Sequence, residues 1–274
     1  MMTSAAVLEP VAQGGWLSGF VNLLSQENGR WWRTRRWLLQ SLIWLVILNG
    51  ILALILWMPG VTVNAGDGPV TGEQRADVGL QAFIQFMGAF APLGAMILAQ
   101  GAIVGEKQLG TAAWVLSKPV SRSAFIIAKL LATALGLLIT VIALQSVIGY
   151  AQLSLRMEEA LPPLAYVAAI GVLALHLVFY LALTLMLGTF FSGRAPVIGI
   201  AIAVLFGHDP VGQLLARYAE WLPQFLPLRL VGIAVPLVQE QPLPDNWPIT
   251  LLAVAVYTVI VVAVALWRFE REEF

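Results

Sequence analysis

The sequence contains no cysteine and few charged residues or histidines. Without cysteine the chain has no disulfide framework and no thiolate-ligated zinc, iron–sulfur or blue-copper site. Its two histidines, His176 and His208, are far apart and do not form the His-Glu-x-x-His pair of a metalloprotease. Lys and Arg number 15, as do Asp and Glu, so no net charge attracts nucleic acid. We therefore expect no nucleic-acid partner and no metal site.

Apolar residues dominate the sequence. Hydrophobic residues make up 59% of the 274 residues and charged residues 11%, and the mean hydropathy is +0.85. Soluble domains contain about 45–50% apolar and about 25% charged residues. The composition therefore predicts an all-α, polytopic integral membrane protein embedded in a lipid bilayer.

Apolar windows of about 20 residues, enough to cross a hydrocarbon core about 30 Å thick, predict the membrane spans. Five windows meet this length, whereas the apolar part of a sixth covers only 196–207, so we expect a broken or interior segment there. We expect a cytoplasmic N-terminus over 1–36 and a six-span domain over 37–274. The predicted spans are 37–57, 78–104, 124–150, 164–191, 196–215 and 249–267.

Basic residues beside the spans predict the orientation, because Lys and Arg are retained on the cytoplasmic side. With the N-terminus inside, eleven of the 15 basic residues fall on that side: Arg30, Arg33, Arg35, Arg36, Lys107, Lys118, Arg122, Lys129, Arg194, Arg268 and Arg271. The outer side keeps Arg75, Arg156, Arg217 and Arg229. We therefore expect a plasma-membrane protein with both termini in the cytoplasm.

The segment before the first span has an amphipathic pattern. Its apolar residues recur at helical spacing: Trp16, Leu17, Phe20, Val21 and Leu24. Tryptophans and arginines follow directly, in the order Arg30, Trp31, Trp32, Arg33, Arg35 and Arg36. Such a helix is typical of one that lies in the cytoplasmic membrane interface, with its arginines near anionic lipid.

The predicted loop between the second and third spans, residues 105–123, contains a second short helix. Its apolar residues fall at i, i+3, i+4 and i+7: Leu109, Ala112, Ala113 and Leu116. Pro119 ends this helix, and Ser121 is a candidate N-cap for the third span. A short apolar helix that exposes Trp114 suits docking into a groove on another protein. The alternative is an interfacial turn that rests on lipid.

These loop residues resemble a motif of the type-2 permeases of ATP-binding-cassette (ABC) transporters. The shared run is Glu106, then Gly110-Thr111, an apolar helix, Ser117-Lys118-Pro119-Val120-Ser121-Arg122 and Lys129. The resemblance implies a coupling helix that docks on a separate ABC ATPase subunit, and a second permease copy or a homologous permease. The implied coupling residues are Glu106, Gly110, Thr111, Trp114, Leu116, Pro119 and Arg122.

The chain has no Gly-x-x-x-x-Gly-Lys-Ser/Thr loop, and so lacks the backbone amides that cradle a triphosphate. We therefore expect no enzyme and no cofactor bound by this chain, with ATP and Mg on the partner subunit. The expected function is that of a permease subunit, and the resemblance implies an exporter. The alternative is a non-transporting membrane anchor or sensor that scaffolds a cytoplasmic partner.

Polar residues within the predicted spans are few. Lys129 either extends its amine to the cytoplasmic interface or pairs with Glu106 at the inner mouth of the bundle. Gln145, His176 and Tyr180 either join helices or line a pathway, and a His176–Tyr180 hydrogen bond is geometrically available. No Asp or Glu lies inside the five clear apolar windows or the apolar part 196–207 of the sixth, which argues against ion-coupled secondary transport.

Residues 209–247 are too apolar for a free outer loop, and Pro223, Pro227 and Pro236 interrupt them. Two short helices that dip back into the outer leaflet fit this pattern, and an ordinary interfacial pair of helices is the alternative. The permease resemblance implies re-entrant helices that close an outer gate.

Overall fold

A computed structural model describes residues 15–58, 71–157 and 160–272, apart from the side chains of residues 113, 116, 208 and 209. Those residues form helices and no strands, which confirms the predicted all-α class. The helices are α1 Phe20–Trp32, α2 Arg36–Trp57, α3 Gly72–Gln108, α4 Thr111–Leu116, α5 Arg122–Ser154, α6 Pro163–Phe190, α7 Arg194–Phe206, α8 His208–Tyr218, α9 Val231–Val238 and α10 Trp247–Glu270. The 3₁₀ turns Leu222–Phe225 and Pro227–Leu230 separate α8 from α9.

Five of these helices, α2, α3, α5, α6 and α10, are long and apolar enough to cross a membrane. They coincide with the five clear apolar windows, so the chain is a polytopic membrane protein. Helix α7 and residues 210–216 pass the same test only as a pair bent by 50°. The sixth span is therefore a broken helix at most, and six crossings stay a prediction.

Contacts between helix ends define two ends of the bundle. At the end that carries residues 105–122, here called the loop end, Lys107 Nζ lies 2.8 Å from Thr189 O and 2.7 Å from Glu272 Oε1. At the opposite end, Gln239 Nε2 donates to Asp77 Oδ1 at 3.1 Å. The segment from the end of α6 to α9 therefore runs from the loop end to the opposite end, and α10 returns.

Glycines allow the helices to approach closely. A Cβ on Gly94 of α3 would overlap the Trp44 ring of α2, and one on Gly136 of α5 would lie 2.6 Å from the Trp31 ring. Small residues of this kind are typical of helix contacts in membrane proteins. Bulky side chains of one helix thus fill the gaps left by glycines of the next.

Helix α1 lies lengthwise along the first half of α5. Its Trp31 packs on Gly136, and Glu27 reaches Lys129, 2.8 Å away. Leu23 and Trp31 are buried by this contact, whereas three residues of the predicted apolar stripe stay exposed: Trp16, Leu17 and Val21. Protein therefore covers one side of α1. Its placement in the membrane interface stays a prediction.

Two helices that pack against each other contain π-helical segments. They are Leu45–Gly50 in α2 and Leu138–Ala143 in α5. A π segment breaks the regular i to i−4 ladder and leaves carbonyls for other donors. Gln145 Nε2 donates to Thr140 O at 2.9 Å, and Asn49 Nδ2 donates to Gln145 Oε1 at 2.9 Å. Buried amides therefore stabilise the two irregular segments together.

Candidate functional site

The loop that connects α3 to α5 begins directly after α3. Gly110 has φ of +68°, a left-handed conformation that favours glycine, and its N–H donates to Lys107 O at 3.2 Å. The hydroxyl of Thr111 donates back to Glu106 O at 3.3 Å. Helix α4 then runs over six residues, so it is shorter than the predicted stripe that began at Leu109.

Helix α4 presents large side chains to the surroundings. Leu109, just before it, is 78% exposed and Trp114 is 63% exposed, whereas Ala112 is buried. The Lys118 ammonium lies 3.7 Å from the centroid of the Trp114 ring, a cation–π contact. The structure does not describe the side chain of Leu116. The exposed part of α4 is therefore an indole beside a positive charge.

Hydrogen bonds connect the C-terminal part of the loop to the segment before α1. Ser121 caps α5, as predicted, because its hydroxyl accepts from the N–H of Ala124 at 3.1 Å. The N–H of Ser121 donates to Ser18 O at 3.0 Å, and the Ser18 hydroxyl donates to Pro119 O at 3.1 Å. Pro119 therefore lies at the junction between the loop and the N-terminal segment.

Arg122 binds the end of the last helix. One guanidinium nitrogen donates to Glu270 O at 2.6 Å and to Glu272 O at 2.7 Å. The last carbonyls of a helix have no intrahelical partner and carry partial negative charge, so a cation here satisfies both needs. The structure thus places the predicted coupling residue Arg122 between the start of α5 and the end of α10.

Four charged side chains meet beside the loop. Lys129 Nζ lies 2.6 Å from Glu106 Oε1 and 2.8 Å from Glu27 Oε1. Arg30 reaches the same two carboxylates, at 3.1 Å and 2.9 Å respectively. We call Glu27, Arg30, Glu106 and Lys129 the charge cluster. Its two positive and two negative charges balance, and it joins α1, α3 and α5.

Burial differs across the charge cluster. The Lys129 side chain is 3% exposed, whereas that of Arg30 is 49% exposed. Partial burial lowers the pKa of Arg30, but the carboxylates of Glu27 and Glu106 outweigh it and raise the pKa above its ordinary value. A raised pKa stabilises the folded state below the ordinary value and loses that effect only at higher pH. Arg30 therefore stays charged at every physiological pH.

The predicted intramembrane residues Gln145, His176 and Tyr180 are all buried between helices. Gln145 bonds to Thr140 in the π segment of α5 and to Asn49 in the π segment of α2. The rings of His176 and Tyr180 contact edge to face, with centroids 5.0 Å apart. The structure brings His176 and Tyr180 together, but it places Gln145 elsewhere in the bundle. Whether any of them lines a pathway stays a prediction.

His176 joins three elements near the middle of α6. Its Nε2 lies 3.1 Å from Gly88 O of α3, and its Nδ1 lies 3.2 Å from Pro227 O. Pro92 has no N–H to donate to Gly88 O, so this carbonyl lacks its helical partner. His176 therefore lies against the carbonyl that the proline leaves open and against Pro227 O, and a neutral imidazole donates to one of the two.

Residues 209–247 form short helices and turns, as predicted. The chain reaches mid-bundle at Pro227 and returns to the opposite end at Gln239. Their dip into a leaflet stays a prediction. Arg229 follows Pro227 by two residues and so lies in the part of this segment that is at mid-bundle depth. Its position on the outer side stays a prediction.

Sequence reasoning missed several contributors to these sites. Glu27 and Arg30 had a signal, since they are a charged i, i+3 pair on an amphipathic helix with no other charged residue. Pro92, inside an apolar window, signalled an open carbonyl at Gly88 without indicating its donor. In the described ranges, no group of three or more His, Asp or Glu residues converges as a metal site.

Comparison with known proteins identifies a family but no activity. No curated protein matches the chain. A family model described as a protein of unknown function, DUF2705, matches residues 70–274, from just before α3 through α10. This match covers most of the chain and includes α4, Glu106 and Lys129. The chain therefore belongs to the DUF2705 family.

Proposed function

We propose that the chain is the permease subunit of an ABC transporter, an exporter that forms its pathway with a second permease copy. A separate ATPase subunit supplies the energy by docking on α4. The observation that carries the proposal is the exposure of Trp114 on a short helix whose two sides continue into membrane-spanning helices. Exposed tryptophans are frequent anchors of protein interfaces.

Movement of α4 would reach both neighbouring helices. Gly110 and Thr111 connect it to α3, and Pro119 and Ser121 connect it to α5 and the N-terminal segment. The pairing of Glu106 with Lys129 also ties the two helices to each other beside the loop. A force on α4 would therefore displace α3 and α5 as a pair. Such a shift requires that ATP bind one arrangement of the assembly more tightly than the other.

In the proposed orientation the protein lies in the plasma membrane. Its loop end faces the cytoplasm, where the ATPase subunit binds. Both described ends of the chain, near Trp16 and Glu272, lie at the loop end. This agrees with the excess of Lys and Arg on that side. In this arrangement the charge cluster lies at the cytoplasmic mouth.

Photo-cross-linking tests the partner. p-Benzoylphenylalanine replaces Trp114 in the full chain expressed in its native cells, and a matched variant carries it at Leu164, which is 84% exposed at the opposite end. We expect adducts at position 114 with a protein that carries a Gly-x-x-x-x-Gly-Lys-Ser/Thr loop, and none at position 164. Adducts with lipid alone would contradict the proposal.

A membrane anchor could give the same cross-link, so a second measurement distinguishes transport from scaffolding. The absence of native cysteine allows one spin label at Leu155, exposed at the opposite end. For the assembled complex we expect ATP with vanadate to change the distance between labels on the two permease copies, and Glu106→Ala to suppress the change. A nucleotide-independent distance would favour the anchor.

A further inference from the structure

Arg229 lies in a cleft at mid-bundle depth. Pro227, two residues before it, faces His176 near the middle of α6, whereas the chain reaches the opposite end only at Gln239. The Arg229 side chain is exposed, and no described residue makes an ion pair or a side-chain hydrogen bond with it. A guanidinium at membrane depth is costly without water or an anion. The buried cation at the loop end, Lys129, has two carboxylate partners.

The cleft has a volume of about 430 Å³, and it combines polar and apolar walls. Gln85 of α3 and Gln213 of α8 add amide groups beside the guanidinium. Gly212 keeps the space open, because a Cβ there would lie 3.3 Å from Leu226 Cδ1 and 3.9 Å from Arg229 Nη2. The donors therefore converge on one cavity.

The chemistry of these donors selects the ligand. The planar fork of arginine binds a carboxylate or phosphate through two hydrogen bonds, and amide N–H groups add further donors. Leu226, Leu228 and Val231 add apolar side chains to the lining of the cleft. An amphiphile fits this lining. Its anionic head group binds the donors, and its apolar tail lies along the apolar side chains.

We infer that the cleft of Gln85, Gln213 and Arg229 binds the anionic head group of a membrane amphiphile, a phosphate or carboxylate. The ligand supplies the counter-charge that the described protein does not. This inference does not rest on the proposed function, because a permease and a membrane anchor would carry the same site.

Native mass spectrometry of the purified full chain in a neutral detergent tests the site, with phosphatidylglycerol as the probe and phosphatidylcholine for comparison. We expect one phosphatidylglycerol to bind in preference to phosphatidylcholine. Arg229→Gln should weaken its binding about tenfold, the size of one lost charge-assisted interaction. Arg217→Gln, which removes an exposed charge from α8 outside the cleft, is the matched control and should bind as the wild type does.

A second variant, Gly212→Leu, keeps Arg229 and fills the cleft, so it should also weaken phosphatidylglycerol binding. Unchanged binding in both variants would overturn the inference. Displacement of the lipid by millimolar sodium phosphate would identify a free anion as the ligand and overturn the proposal of an amphiphile. If the variants alter only the number of chain copies per particle, the face is a contact between copies and the inference fails.

Discussion

At the scale of single residues, the charge cluster explains how a lysine is tolerated almost fully buried. Lys129 has a carboxylate at 2.6 Å and another at 2.8 Å. Removing a cation from water is costly, and close oppositely charged partners compensate for that cost only when the geometry is good. Arg30 shares both carboxylates, so neither Glu27 nor Glu106 depends on Lys129 alone. The cluster is therefore a network rather than one ion pair.

The network predicts unequal effects of removing its two cations. Lys129→Met leaves two poorly solvated carboxylates with only Arg30, so we expect a loss of about 3 kcal/mol in the free energy of unfolding. In a chain of this size that lowers the apparent melting temperature by about 6–12 °C. Arg30→Gln, at a half-exposed position, should cost about 0–1 kcal/mol. Thermal unfolding in detergent compares the two variants, and equal effects would contradict the network.

At the scale of elements, three membrane-spanning helices are irregular, and buried polar side chains compensate for each irregularity. Asn49, in the π segment of α2, bonds to Gln145, which donates to Thr140 O in the π segment of α5. The proline break of α3 lies against His176. Unsatisfied carbonyls are costly in hydrocarbon because no water can replace the lost donor. Asn49, Gln145 and His176 therefore have a structural role that is sufficient to explain their burial.

The proline break predicts a coupling between His176 and Pro92. In the tautomer with the proton on Nε2, His176 donates to Gly88 O, so His176→Phe leaves this carbonyl without a donor and should cost about 1–2 kcal/mol in stability. In a Pro92→Ala background, the Ala N–H can donate to Gly88 O, so the same substitution should cost less. A double-mutant cycle measured by unfolding in detergent gives the coupling energy.

Thr184→Val, which removes a buried hydroxyl bonded to Tyr180 O in the same helix, is the control for the cycle. It should cost the same in both backgrounds, because its bond is independent of α3. A His176→Phe effect that does not depend on residue 92 would refute the role assigned to Gly88 O.

At the scale of the whole molecule, the ends of the helices decide the topology of the bundle. The ends of α3, α6 and α10 meet through Lys107, and Gln239 lies with Asp77 at the opposite end. With α10 returning to the loop end, the bent segment of α7 and α8 with the following turns must connect the two ends. Five long helices thus pass between the two ends, and a sixth crossing of the membrane by the bent segment stays a prediction.

This topology predicts which surfaces are accessible from each side of the membrane. Single cysteines at Leu109, at the loop end, and Leu155, at the opposite end, replace exposed residues in a chain with no native cysteine. A membrane-impermeant maleimide applied to intact cells should label Leu155→Cys, whereas Leu109→Cys should react only after permeabilisation. The reverse pattern would invert the orientation, and labelling of both positions would contradict the membrane crossing.

The sequence by itself determined the helical class, the five long apolar helices, the loop helix and the Ser121 cap. These features depend on local periodicity and on the length of apolar windows, which a chain carries in every conformation. Glu106 and Lys129 were also recognisable as partners, because they flank one loop.

Only the tertiary structure decided the partners that are distant in sequence. Glu27 lies 102 residues from Lys129, and Gly88 and Pro227 lie 88 and 51 residues from His176. The π segments, the shared carboxylates and the depth of Arg229 depend on how the helices pack. Local propensity cannot determine such contacts, because a partner is selected by its distance in space and by the cost of leaving a buried polar group unpaired.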